Sequence, residues 1–235
     1  MPRLLCTLHF VRHGETTANR EGIIQGHKDY DLTAIGVNQA GATAIRLRGN
    51  TYWRTYTSDL TRAYRTAQII VEEHPGAVLV KTPLLREFGL GAQEGLPRGT
   101  TWCVPMRMKA EEAGVPLEDY EECLRESPAD VYKRAQQFLD SLVVDAVRAA
   151  DGMGHTDDRA AAAAPAQGGD ENARLALVVS HGGILNVMML AVMGWDERIC
   201  PLMSNCAVSV VDVLEERRGR VTYVPRTLND VSHLE

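Results

Sequence analysis

Two stretches of this chain deliver a histidine to a glycine-bearing loop. Arg12-His13-Gly14-Glu15-Thr16 follows the apolar run Leu4 to Val11, and His181-Gly182-Gly183 follows Leu175 to Ser180. Each run reads as a buried strand, so both histidines stand at strand ends, the edge of an open α/β sheet where ligands bind. A histidine there is, taken alone, more often a packing residue than a nucleophile. Its company reverses that weighting. Arg62 falls in the first turns of a predicted helix and Glu87 in a loop after a third strand, so four ends of secondary structure present two imidazoles, two guanidiniums and a carboxyl.

Phosphoryl transfer asks for such a set. The transferring group spreads negative charge over three equatorial oxygens that must be held in line between nucleophile and leaving group. Arg12 and Arg62 offer bidentate forks that stay charged, and backbone N–H groups near Gly182 add donors. His13 must attack as a neutral imidazole, and neighbouring guanidiniums favour that form by lowering its pKa. A protonated His181 would add a donor to the phosphate. An alkoxide leaves poorly without a proton, which Glu87 can deliver and later recover from the attacking water.

Other polar residues carry weaker signals. Asn19, with Gln25 and Gly26, can line a phosphate pocket or close a turn. Glu15, Glu94 and Glu126 read as solvated or salt-bridged, and His9, His27, His74 and His155 show no metal-ligand spacing.

The elements that must position these groups follow from periodicity. Thr33 is a helix N-cap, with Ile35, Ala42 and Ile45 on one face; Tyr52 to Thr57 is a strand, after which Ser58 caps a helix carrying Leu60, Ala63, Ala67 and Ile70. Ala77 to Lys81 forms a third strand. Ser127-Pro128 starts a helix whose stripe is Val131, Ala135, Phe138 and Leu142, and a further helix spans Ile184 to Met193. Val208 to Leu214 and Arg220 to Val224 pair as a hairpin. The alternation predicts an α/β protein in three layers, a mostly parallel central sheet with helices on both faces. One domain over residues 1–235 is expected, with Gly95 to Glu126 as a possible cap and Ala149 to Asn172 as a flexible low-complexity insertion.

Composition narrows the partners. A formal charge of −6 without a basic stripe disfavours nucleic acid, and no apolar run is long enough to span a bilayer. The N-terminus has no cleavage-site pattern and reads as the first strand. Five scattered cysteines with no Cys-x-x-Cys pair argue against both a disulfide framework and a zinc site, which points to a reducing compartment, the cytoplasm.

Taken in order, the chain resembles the histidine phosphatase superfamily, the phosphoglycerate mutase-like enzymes built around an Arg-His-Gly motif. The resemblance rests on Arg12 to Thr16 with Asn19, Asp31-Leu32-Thr33 with Gly36, Ser58-Asp59-Leu60 with Arg62-Ala63 and Thr66-Ala67, Leu85-Arg86-Glu87, Glu94-Gly95, Ser180 to Gly183, and Leu228-Asn229-Asp230 with His233-Leu234. It implies a phosphohistidine on His13, phosphate contacts from Arg12, Arg62 and His181, proton transfer by Glu87, a pocket lined by Asn19, Gln25 and Gly26, and neither metal nor cofactor. Phosphoglycerate mutases carry a tryptophan-rich stretch and carboxylate-binding basic residues where this chain has Thr17-Ala18-Asn19-Arg20 and Gly95-Leu96-Pro97-Arg98-Gly99. Phe88 to Gly95 is closer to the phosphatase branch, and the overall pattern is similar to the TIGAR-like fructose-2,6-bisphosphatases. Leu124-Arg125 stands where many relatives have two glycines. The expected activity is hydrolysis of a small phosphorylated metabolite, a sugar phosphate or bisphosphate; the alternatives are a phosphoglycerate mutase and a protein phosphatase or regulatory binding protein. The physiological substrate and the oligomeric state stay open.

Overall fold

A computed structural model describes residues 2–99, 110–112, 114–116, 125–151, 174–196 and 202–235. Most of the expected cap, 95–126, and nearly all of the expected insertion, 149–172, lie outside the described residues.

Four parallel strands, β1 (Arg3–Arg12), β2 (Tyr52–Ser58), β3 (Leu79–Thr82) and β4 (Arg174–Ser180), join β5 (Val208–Glu215) and β6 (Val221–Asp230) in a six-stranded sheet ordered β3-β2-β4-β1-β5-β6. β5 is antiparallel to β1, and β6 to β5. The mostly parallel sheet expected from the alternation of elements is the one that forms. Its register pairs Arg12 with Ser180, so the residues that follow, His13 and His181, emerge side by side.

β1 and β4 are almost continuously apolar because helices cover both faces. On one side α4 (Pro128–Ala150) and α5 (Gly182–Val187), which runs on as a π-helical turn over Met188–Val192, pack with Ala176 and Val178; on the other, α2 (Ala34–Leu47) and α3 (Thr61–Val71) pack with Leu177 and Val179. A short helix, α1 (Thr17–Arg20), follows the first motif. α4 begins as expected: Ser127 and Asp130 form a capping box, Pro128 takes the first helical position, and Val131, Ala135, Phe138 and Leu142 are buried. Each such large apolar side chain contributes ~1.5–3 kcal/mol, enough to fix α4 against the sheet.

Two local expectations fail. Thr33 does cap α2, accepting from Gly36 N at 3.0 Å, but Ile35 and Ile45 face solvent. The buried stripe is Gly36, Ala40, Thr43, Ala44 and Leu47. At its start the helix lies directly on the motif loop: a Cβ on Gly36 would sit 2.1 Å from Glu15 O, and one on Gly14 2.5 Å from Gly36 O. Ser58 is also not the cap of α3. Leu60 takes that position without a side-chain bond, while Ser58 Oγ is turned into the sheet edge. The third strand starts two residues later than expected, and β6 continues beyond Val224 to Asp230.

Candidate active site

Arg12 and His13 leave β1, Ser58 ends β2, and Ser180 with His181 ends β4. The shared strand direction therefore brings these groups to one sheet edge. A cavity of about 340 Å³ opens there, lined by Arg12, His13, Asn19, Gln25, Gly26, Arg62 and Glu87 among the expected residues. That size suits a small molecule.

His13 is buried, and its main-chain N–H donates to Ser180 O at 2.9 Å. Its Nδ1 lies 2.8 Å from Gly14 O. A carbonyl only accepts, so Nδ1 carries the hydrogen and Nε2 keeps its lone pair. Burial first, then the charges of Arg62 and Arg12, hold the imidazole well below its ordinary pKa, against a smaller opposing effect of the Gly14 bond. The ring is neutral near pH 7. Gly14 N donates to Thr66 Oγ1 at 3.0 Å and Asn205 Nδ2 to His13 O at 2.8 Å, so the motif loop is pinned on both sides.

Arg62 is buried and spends one N–H on each of three partners: His181 Nδ1 at 3.2 Å, Lys28 O at 3.2 Å and Gly26 O at 2.8 Å. Of the five guanidinium donors, one on each terminal nitrogen is left over. Arg12 donates through Nη1 to Met203 O at 2.6 Å, whereas its Nε is buried with no partner among the described residues. A buried donor without an acceptor costs ~1–3 kcal/mol.

His181 is placed differently from expectation. It is fully buried beside His13, with ring centroids 5.2 Å apart, but it does not line the cavity. Its Nδ1 accepts from Arg62, so Nε2 carries the hydrogen and donates to Ser58 Oγ at 2.8 Å. Burial and the Arg62 charge hold its pKa well below the usual value. In this geometry the ring has no N–H to offer a ligand; it holds Arg62.

The Glu87 carboxylate sits over the start of α5, accepting from Gly183 N at 3.0 Å, Ile184 N at 3.2 Å and Phe88 N at 3.0 Å. Gly183 leaves that seat open, since a Cβ would fall 2.3 Å from Glu87 Oε1 and displace the carboxylate. Gly182, the glycine singled out from sequence, lies against Arg12, where a Cβ would make only an ordinary contact, 3.4 Å from Arg12 Nε. Asn19 Oδ1 is committed to Thr16 in a capping box and to Asn205, and Gln25 Oε1 accepts from Thr16 Oγ1 at 3.0 Å.

Arg98, Ile24, Phe88 and Leu90 also line the cavity and were not foreseen, nor was Asn205. One signal was present for Asn205. It precedes β5, and an antiparallel strand begins at the edge where its parallel neighbours end.

A neutral, buried histidine flanked by two guanidiniums at a parallel-sheet edge defines a class of phosphoryl-transfer proteins, and this chain belongs to the histidine phosphatase superfamily (branch 1), whose family model matches residues 8–224. The family includes phosphatases and mutases. The chain is 30% identical over 237 residues to the probable phosphoglycerate mutase GpmB of Yersinia pestis (strain Pestoides F), covering 97% of this chain and 94% of that one. Its fold is similar to that of the mycobacterial glucosyl-3-phosphoglycerate phosphatase in complex with VO3, with a TM-score of 0.68 at 22% identity over 95% of this chain and 98% of that one. YhfR of Bacillus stearothermophilus is similar too, with a TM-score of 0.68 and 26% identity over 98% of this chain and 100% of that one.

Proposed function

We propose that this protein is a phosphomonoesterase that hydrolyses a small phosphorylated metabolite through a phosphohistidine on His13. The observation that carries the proposal is the state of the His13 ring: neutral, buried, with Nδ1 bound to Gly14 O and Nε2 left with its lone pair. The Arg12 guanidinium and the two spare N–H groups of Arg62 grip the phosphate oxygens, and His181 orients Arg62. Asn19, with Oδ1 already engaged, offers the cavity its Nδ2 donors.

In the first half-reaction Nε2 forms the P–N bond while the P–O bond to the leaving group breaks and Glu87 protonates the departing oxygen. Three backbone donors fill three of the roughly four acceptor sites of that carboxyl, and the remaining one, on Oε2, is the position from which the proton is passed. In the second, water attacks phosphorus, the P–N bond breaks, and Glu87 takes the water's proton.

Arg98 adds a third guanidinium to the cavity beside the apolar wall of Ile24, Phe88 and Leu90. That favours a substrate with a second anionic group, such as a sugar bisphosphate; fructose 2,6-bisphosphate is the candidate that the sequence pattern suggests. Buried Cys6 and Cys206, both unpaired, fit a reducing compartment, the cytoplasm. The deciding assay gives the enzyme a phosphoglycerate with its bisphosphate primer, and in parallel a panel of sugar phosphates and bisphosphates. Free phosphate should dominate, and His13→Ala should release none; accumulation of a positional isomer would establish a mutase instead.

A further inference from the structure

The loop that carries Glu87 belongs to no strand or α-helix, yet its carbonyls are held one after another by side chains and main chain from elsewhere. Ser180 Oγ donates to Leu85 O at 2.7 Å, and Glu126 N to Gly89 O at 2.7 Å. Arg134, on α4, supplies the rest: Nη1 donates to Leu84 O at 3.1 Å and Arg86 O at 2.5 Å, and Nη2 donates to Glu87 O at 2.9 Å. Its remaining two donors go to Glu126, Nε to Oε1 at 2.5 Å and Nη2 to Oε2 at 2.8 Å. All five guanidinium donors are thus spent, three on the loop and two on one carboxylate. None is left for a ligand.

Glu126 completes the clamp. Its Oε2 also accepts from Gly89 N at 3.1 Å. Burial pushes its carboxyl up, but the bonds from Arg134 and Gly89 and the Arg134 charge outweigh that and leave its pKa below the ordinary value. It therefore remains an anion facing Arg134, a pair that is well shielded from water. His27 Nε2 meets the same Glu87 O at 2.7 Å. A loop gripped at this density has one side chain in the cavity whose position matters to within a fraction of an ångström, the Glu87 carboxylate.

We infer that Arg134 and Glu126 form a positioning pair that fixes the proton-transferring carboxylate of Glu87 against the leaving-group oxygen, without touching substrate. This rests on the reading of Glu87 as the proton donor. Losing the clamp should therefore reproduce the leaving-group dependence of losing Glu87 and spare the attack by His13.

The experiment measures kcat/KM for glycerol phosphate, whose alkoxide needs a proton, and for p-nitrophenyl phosphate, whose phenolate does not. It compares the full-length enzyme with Arg134→Gln, Glu126→Gln, Glu87→Ala and the Arg134→Gln/Glu87→Ala double variant. Arg134→Gln should lower turnover of the alkyl ester about 10²-fold and of the aryl ester less than about 3-fold, and should add little to Glu87→Ala in the double variant. Equal losses on both esters, or additive losses in the double variant, would overturn the positioning role. Equal losses in Glu87→Ala itself would remove the proton donor and the inference with it, a result read independently of Arg134. Should Arg134→Gln not fold, as judged by thermal melting, Glu126→Gln decides: it keeps the shape of the clamp, and the same selective loss, smaller in size, is required of it.

Discussion

Arg62 Nε donates to His181 Nδ1 at 3.2 Å, and Ser58 Oγ closes the other side of that imidazole at 2.8 Å. A group that reads from sequence as a second phosphate donor is thus, in this structure, the acceptor on which the buried Arg62 guanidinium rests.

Replacing His181 should disarm Arg62 without removing the nucleophile. His181→Ala should lower kcat/KM about 10²–10³-fold and weaken inhibition by vanadate, while His181→Asn, which restores an acceptor near the place of Nδ1, should recover part of both. Unchanged vanadate inhibition in the alanine variant would show that Arg62 holds its orientation without the ring.

The pH profile should report the neutral state of His13. Burial with the Arg62 and Arg12 charges keeps its pKa well below 6.5, and neutral imidazole is the attacking form, so kcat/KM should fall on the acid side only at pH values well under 6.5. Arg12→Gln removes one of those charges, raises the pKa and should move the acid limb upward. In the unaltered enzyme a labelled adduct should survive alkaline quenching and be lost in acid. His13→Ala should form none and lose at least about 10⁴-fold in turnover.

Gly183→Ala tests the seat of Glu87 from its other side. The added Cβ would lie 2.3 Å from Glu87 Oε1, so the carboxylate must move off the α5 N-terminus. The expected outcome is a loss of about 10²-fold on alkyl phosphates with aryl phosphates nearly spared; a uniform loss would instead mark general damage to the cavity.

His9 should tie stability to pH. It is buried with Nδ1 2.8 Å from Tyr52 Oη, and burial, followed by the charges of Arg46, Arg226 and His74, lowers its pKa from 6.5 to about 4. Between those values the unfolded chain binds a proton that the folded one refuses, so stability falls as pH drops from 6.5 toward 4, by on the order of 3 kcal/mol for this group. Thermal melts should show the slope, and His9→Gln should reduce it, leaving the part due to His13 and His181.

The corrections to the local reading share one cause. α2 offered two stripes, and Ile35 and Ile45 face solvent while Gly36, Ala40, Thr43, Ala44 and Leu47 are buried; at Gly36 the backbone of the motif loop lies too close for any side chain. Ser58 had the right chemistry for a cap but was drawn to the His181 ring instead. Amphipathic spacing records which residues are apolar; it does not record how near the neighbouring backbone comes.

From residue types and their order came the parallel sheet and the four strand or helix ends bearing Arg12, His13, Arg62, Glu87 and His181, because strand direction and periodicity are local properties that place those ends on one edge. Packing alone settled that the His181 ring turns Nδ1 to Arg62, that Gly183 leaves the seat that Glu87 takes, that Arg98 lines the cavity, and that Asn205 holds the His13 carbonyl. Those features depend on contacts between segments tens to hundreds of residues apart, and no spacing within a segment encodes a hydrogen bond that its partner reaches only after folding.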